Sequence, residues 1–281
     1  MSLDLEDARR RYRFAFNDED RARLPFYSAL LTALENDEQA QVLLAEVKVE
    51  QRNPMLILAS LHLAALMGHR VLAPIYSLAR HGQLDDPSRA AAEVLGVVRD
   101  EPDTVRRELH RSTQTNEPGR SAVFQAVIAL VATRTQRVIN IVDVGTSAGI
   151  NLYFDQFPVR SHDDDNPLTL VCRDSSSIDR SLPLPHVVAR VGVDPSPLDL
   201  SIEGDRRWLQ ACYLAGRATA NGPPRRDSLG PSVMADDEDS EGDGAGTIRR
   251  RAGTVRRKCA DDRGEQLRPR VLHRVRSNGV L

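Results

Sequence analysis

Apolar residues recur at helical spacing through the first half of the chain. Asp4 to Phe14 mixes charge with Leu5, Tyr12 and Phe14, and Leu24 to Leu34 places Leu24, Phe26, Leu30, Leu31 and Leu34 close to a 3.6-residue period. Asn36-Asp37 offers an N-cap to the run containing Val42, Leu43, Leu44 and Val47. Asn53-Pro54 is a cap followed by proline at the first helical position. The run it opens, Met55 to Met67, is almost wholly apolar and predicts a buried helix closed by Gly68. Pro87 to Val98, Asp103 to Ser112 and Ala122 to Thr133 complete the helical set.

At Val138 the period changes. Val138 to Asp143 is a short β-branched run that leads into Gly145, and Gly149 to Phe154 reads as the helix beyond a glycine turn. Leu168–Cys172 and Val187–Val193 are further strand candidates, the second ending at Asp194, and Arg206–Ala211 begins another helix. This order predicts an α/β fold. A helical N-terminal region over 1–135 precedes a partial α/β sheet domain over 136–212. From Tyr213 to Leu281 the texture changes again, with 13 arginines, 9 glycines and only 13 large apolar side chains in 69 residues. Charge there comes in blocks, acidic from Asp236 to Asp239 and basic at Arg249-Arg250-Arg251 and Arg256-Arg257-Lys258. Such a segment buries too little to offset its chain entropy, so 213–281 is expected to be a disordered tail.

Composition narrows the function. The 281 residues are 41% hydrophobic and 28% charged with a net charge of −2, which excludes a general polyanion binder and leaves room for a local basic patch. No stretch approaches the ~20 apolar residues of a membrane span. The N-terminus has no apolar signal core, so a cytoplasmic location is expected. Cys172, Cys212 and Cys259 have no metal-type spacing and no disulfide framework. His62 sits inside the apolar run as a core residue, and His69 and His81 lie near helix ends with no metal spacing. No Walker loop or zinc signature occurs, which leaves an NTPase reading without support. Of the 38 basic residues only Lys48 and Lys258 are lysine, the mark of a GC-rich coding sequence.

The chemistry concentrates in Val142-Asp143-Val144-Gly145-Thr146-Ser147-Ala148-Gly149. Small residues after a strand let a nucleotide approach the backbone. The spacing resembles the first motif of Rossmann-like S-adenosylmethionine methyltransferases, with Ser147 at the middle glycine. That resemblance implies S-adenosylmethionine as cofactor, with Asp143, Gly145, Ser147 and Gly149 holding it. The alternative is a glycine turn that packs a helix on a sheet with no ligand. Arg190–Pro197 resembles the second strand of the same enzymes, whose terminal acid binds the cofactor ribose; here that acid is Asp194. Its distance in sequence from Gly149 requires an insertion over about 158–186, and Asp174 is the other ribose candidate. Upstream, Thr113–Arg120 is polar between two helices. Asn116, Glu117 and Arg120 there are candidates for positioning a substrate carboxylate or amide, or form an inter-helix loop capped at Asn116. Methyl transfer depends on alignment more than acid–base chemistry, and no catalytic residue stands out.

Arg52-Asn53-Pro54, Gln114–Glu117 with Arg120, Val142–Leu152, Arg190–Leu200 and Arg207-Trp208-Leu209 occur in that order. Together they resemble an uncharacterised bacterial family, domain of unknown function 2332, common in actinobacteria. The resemblance covers about residues 5–212 and implies a helical region before a Rossmann-like domain, with no established activity. In that family the Trp-Leu element leads into further helix and strand, whereas here an arginine- and glycine-rich segment follows. Either the gene is read out of frame beyond this point, which would truncate the family's C-terminal part and impair function, or the tail is a genuine disordered one able to touch nucleic acid through its arginines. Two functional classes stay open. One is an S-adenosylmethionine-binding, methyltransferase-like protein taking a small-molecule ligand; the other is a non-enzymatic scaffold or small-ligand binder.

Overall fold

In a computed structural model of the chain, the described residues are 2–160, 170–171, 182–214 and 272–276. Asp174, Cys172 and Cys259, most of the assumed insertion and most of the 213–281 segment lie outside them. The described residues form two compact units. One holds residues up to 115 with 201–214, the other 116–200 with the strand at 272–276.

The first unit is helical: α1 (Ser2–Arg13), α2 (Asp18–Arg23), α3 (Pro25–Glu35), α4 (Glu38–Ala45), α5 (Pro54–Leu66), α6 (Leu72–Arg80), α7 (Pro87–Asp100) and α8 (Asp103–Arg106). The caps follow local chemistry. Asp37, rather than Asn36, accepts from the Ala40 amide, Asn53 from Met55, and Asp86 from Ser88 and Arg89. Leu30, Leu31 and Leu34 of α3, Leu43 and Leu44 of α4 and Val94 and Val98 of α7 are all fully buried in one core. Arg52 sits almost wholly inside that unit. Its guanidinium donates to Asp4 and Asp7 of α1 and to the carbonyls of Ala45 and Val47, so every direction of the fork is used. Hydrogen bonds from Arg11, Arg10 and Arg52 hold the Asp7 carboxyl down at about 2 against the opposing effect of burial. The predicted helix from Asp103 stops as α-helix at Arg106 and continues as turns.

A last helix, α10 (Glu203–Cys212; α9 belongs to the other unit and follows below), packs on α5 in this unit. That placement differs from the sequence reading, which grouped it with the sheet. Trp208 is fully buried, its indole N–H donating to the Ser112 carbonyl at 3.0 Å with Arg111 stacked over its ring. Cys212 accepts from the Gln114 amide, and burial pushes its thiol up to about 11. His62 of α5 stacks on Tyr76 and shares a 3.1 Å hydrogen bond with the Ala211 carbonyl.

The second unit begins with α9 (Arg120–Thr135), which the sequence reading had placed in the helical region. Strand β1 (Ile139–Val144) follows, then the 3-10 helix Ile150–Gln156 and the two-residue strands β2 (Val159–Arg160) and β3 (Leu170–Val171), which pair parallel with each other. Next comes β4 (Val187–Val193). It runs parallel to β1 with Asp143 opposite Gly192 and Val144 opposite Val193. Strand β5 (Leu272–Arg276) lies antiparallel on the other side of β4, giving the order β1-β4-β5. It falls inside the 213–281 segment expected to be disordered, of which only 213–214 and 272–276 are among the described residues. The architecture is therefore mixed, predominantly helical with a small parallel strand pair. One face of β1 is bare among the described residues, with Val142 65% and Val144 80% exposed. No described helix is long and apolar enough to cross a membrane.

Burial lowers the His62 pKa to about 4, well below its ordinary 6.5. The unfolded chain therefore binds a proton between those values that the folded chain refuses. Stability from this group is complete above pH 6.5 and is lost as the pH falls toward 4, by a total on the order of 3 kcal/mol. Urea unfolding across that range is expected to show this slope, and His62→Gln is expected to flatten it.

Candidate glycine-turn site

The turn between β1 and the 3-10 helix is built by three left-handed residues. Gly145, Ser147 and Gly149 have φ of +81°, +55° and +77°. Two are glycine, the residue for which this region carries no steric cost. Ser147, at the position of the middle glycine in the motif, adopts the glycine-like backbone with a side chain attached. The sheet register explains how the turn closes. The Gly145 and Thr146 amides donate to the Val193 carbonyl at 2.7 and 3.4 Å, and the Gly149 amide donates back to Thr146 at 2.8 Å.

Asp194 follows β4 and reaches the turn because the parallel strands end side by side. One of its carboxylate oxygens accepts from the Ser147 amide and the other from the Ser196 amide, both at 2.8 Å. The side chain is 8% exposed. The Ser147 carbonyl in turn accepts from Leu198 at 3.3 Å. Asp194 thus meets the predicted turn, but as a clip between two loops through backbone amides. Asp143 lies at the partly buried end of β1 opposite Gly192. Gly192 is required by space: a Cβ there would stand 2.6 Å from Thr146 Cγ2.

Of the three upstream candidates, the structure brings Asn116 to the turn. Its amide donates to the Thr146 carbonyl at 3.4 Å, and its carbonyl oxygen accepts from Asn151 at 3.4 Å. Asn151 also accepts from Ser121 at 3.3 Å, so a buried chain of polar groups links α9, the 3-10 helix and the turn. Asn116 therefore holds the turn in place. Glu117 is half-buried, and Arg120 is exposed at the first residue of α9. Sequence reasoning missed Asn151 and Arg190. Arg190, 9% exposed, forms a bidentate pair with Asp155 at 2.7 and 2.9 Å, donates to the Leu152 carbonyl and stacks on Tyr153. Gln125 of α9 donates to the carbonyls of Phe154 and Phe157. Side chains from two elements thus take carbonyls that an α-helix would give to its own amides, and the segment after the turn is a kinked 3-10 helix where the sequence predicted α-helix. A lone arginine inside the otherwise apolar strand run Val187–Val193 was the available signal for Arg190.

Two polar groups remain without protein partners. The hydroxyls of Thr146 and Ser147 belong to residues 5% and 4% exposed, and among the described residues neither finds a hydrogen-bond partner. A buried hydroxyl in that state costs about 1–3 kcal/mol unless something else meets it. Among the described residues no group of three or more His, Cys, Asp or Glu side chains is arranged to hold a metal.

A family model described as an uncharacterized protein conserved in bacteria, domain of unknown function 2332, matches residues 9–218, and the chain belongs to that family. No curated protein and no solved structure matches it.

Gly192→Ala is expected to lower stability by about 1–3 kcal/mol, because the stiff β-branched Thr146 cannot yield to the new methyl without shifting the turn. Ser147→Gly should be tolerated and Ser147→Val should not, since a β-branched residue at a φ of +55° is strained. Denaturant midpoints of the three variants check both statements.

Proposed function

We propose that this member of the bacterial family binds a nucleoside ligand of the S-adenosylmethionine type at the 143–149 turn and is methyltransferase-like. The observation that carries the reading is the common strand end. Parallel β1 and β4 bring the glycine turn and the acid after β4 to one carboxyl edge, where ligands of open α/β sheets bind. The residues present fit such a group in one physical respect: Thr146 and Ser147 offer buried hydroxyls that still lack partners. Asp143, Gly145, Ser147 and Gly149 would hold the cofactor, with Asp194 at its ribose or fixing the loop that faces it. S-adenosylmethionine supplies an activated methyl group when bound. This chain's own part is to orient the ligand: the left-handed turn admits it close to the backbone, and Asn116, tied to Asn151, keeps the turn from opening. Glu117 and Arg120 are the remaining candidates for positioning a substrate.

A non-enzymatic scaffold or small-ligand-binding role is the second reading. It is favoured by the full engagement of both Asp194 oxygens with backbone amides, which leaves the turn self-sufficient without a catalytic partner.

Calorimetric titration of the full chain with S-adenosylmethionine and S-adenosylhomocysteine separates the readings. Saturable binding with a Kd in the micromolar range is expected, as for ordinary cofactor sites. No heat and no thermal shift at millimolar ligand would sink the methyltransferase-like reading and leave the scaffold.

A further inference from the structure

The glycine turn differs from a phosphate-binding loop in where its amides point. In phosphate loops the backbone N–H groups of the turn and the first turn of the following helix are aimed at the ligand. Here the Gly145 and Thr146 amides are given to Val193, the Gly149 amide to Thr146, and the Ser147 amide to Asp194. The element that follows is a seven-residue kinked 3-10 helix, too short to present an aligned helix dipole. The charges point the same way. Asp194 places a carboxylate where an incoming phosphate would seek the Ser147 amide, and the buried cation of β4, Arg190, is matched by Asp155. The Thr146 and Ser147 hydroxyls, by contrast, are buried and meet no described residue.

We propose that Asp194 closes this turn to phosphate, and that the site admits phosphate-free nucleosides, neutral or cationic, held through the Thr146 and Ser147 hydroxyls. The inference rests on the nucleoside reading above and sharpens it. Dinucleotides and nucleoside polyphosphates are excluded by Coulomb repulsion from Asp194 and by the commitment of the Gly145, Thr146, Ser147 and Gly149 amides within the protein. A sulfonium or ammonium group is favoured by the same Asp194 carboxylate that repels phosphate.

The test titrates the full chain with adenosine, S-adenosylmethionine, ADP and inorganic pyrophosphate. Adenosine and S-adenosylmethionine are expected to bind at least about tenfold more tightly than ADP, with pyrophosphate showing no binding. Thr146→Val keeps the shape packed against Gly192, and Ser147→Gly suits the left-handed backbone. Each is expected to weaken nucleoside binding by about tenfold without lowering the melting temperature. Asp194→Asn removes the charge and should raise the affinity for ADP by at least about tenfold relative to the unsubstituted chain. Because the first comparison needs no variant, it decides even where Asp194→Asn fails to fold. Equal binding of ADP and adenosine, or hydroxyl variants that bind unchanged, overturns the inference and leaves the nucleoside reading standing. Failure of every nucleoside to bind overturns both.

Discussion

The hydrogen bond from the Ser147 amide to Asp194 joins the two halves of the candidate site. It exists because β1 and β4 are parallel and in a register that ends both strands at the same level. Without it, Ser147 would have to hold a left-handed φ with no compensating contact, and its amide would be buried and unpaired. With it, the loop after β4 and the turn after β1 become one rigid edge. Asn116, Asn151 and Gly192 follow from the same constraint. Asn116, itself held by Asn151, holds the Thr146 carbonyl from one side, while the absent Cβ of Gly192 makes room for the Thr146 side chain on the other.

The cost of that rigidity falls on the anion-binding capacity of the turn. A loop that spends its amides on internal closure is well ordered before any ligand arrives, which lowers the entropy lost on binding. It also gives up the interactions that make glycine loops general phosphate binders. Preorganisation and selectivity therefore come from one arrangement. On the reading proposed above, the two buried hydroxyls discriminate between ligands because the wrong one leaves them unmet.

Much of the local structure was legible in the residues. Asn53-Pro54 and the apolar run behind it, the periodicity of Leu24–Leu34, the β-branched Val187–Val193 and the glycine turn all declare themselves through short-range chemistry. Interactions between distant segments did not. Asp194 reads as a strand-end acid suited to a ribose, and only the pairing of β1 with β4 shows that two amides already hold it. Asn116 reads as a cap or a substrate contact, yet its partner is thirty residues away. The 3-10 helix after Gly149 has an ordinary helical composition, and it is Arg190 and Gln125, remote in sequence, that divert its carbonyls. Amphipathic α10 carries no sign of which unit it will join. Trp208 finds its carbonyl partner at Ser112, and that choice places it with the helical unit.

The bare face of β1 bears on the site directly. Parallel strands are ordinarily covered on both faces, because each carries apolar side chains in both directions. Here Ile141 points toward the partly buried side, while Val142 and Val144 point to a side that no described residue covers. Val144 is the residue immediately before Gly145, so the exposed face runs up to the foot of the turn. Apolar surface left there weakens the strand pair that aligns Asp143 with Gly192 and Asp194 with Ser147. The hydrogen bonds of the turn are set by strand register, and register is best specified where a face is buried. Covering Val142 and Val144 would therefore tighten the turn without any new contact to it, so the stability of this sheet face and the geometry of the candidate site form one coupled quantity.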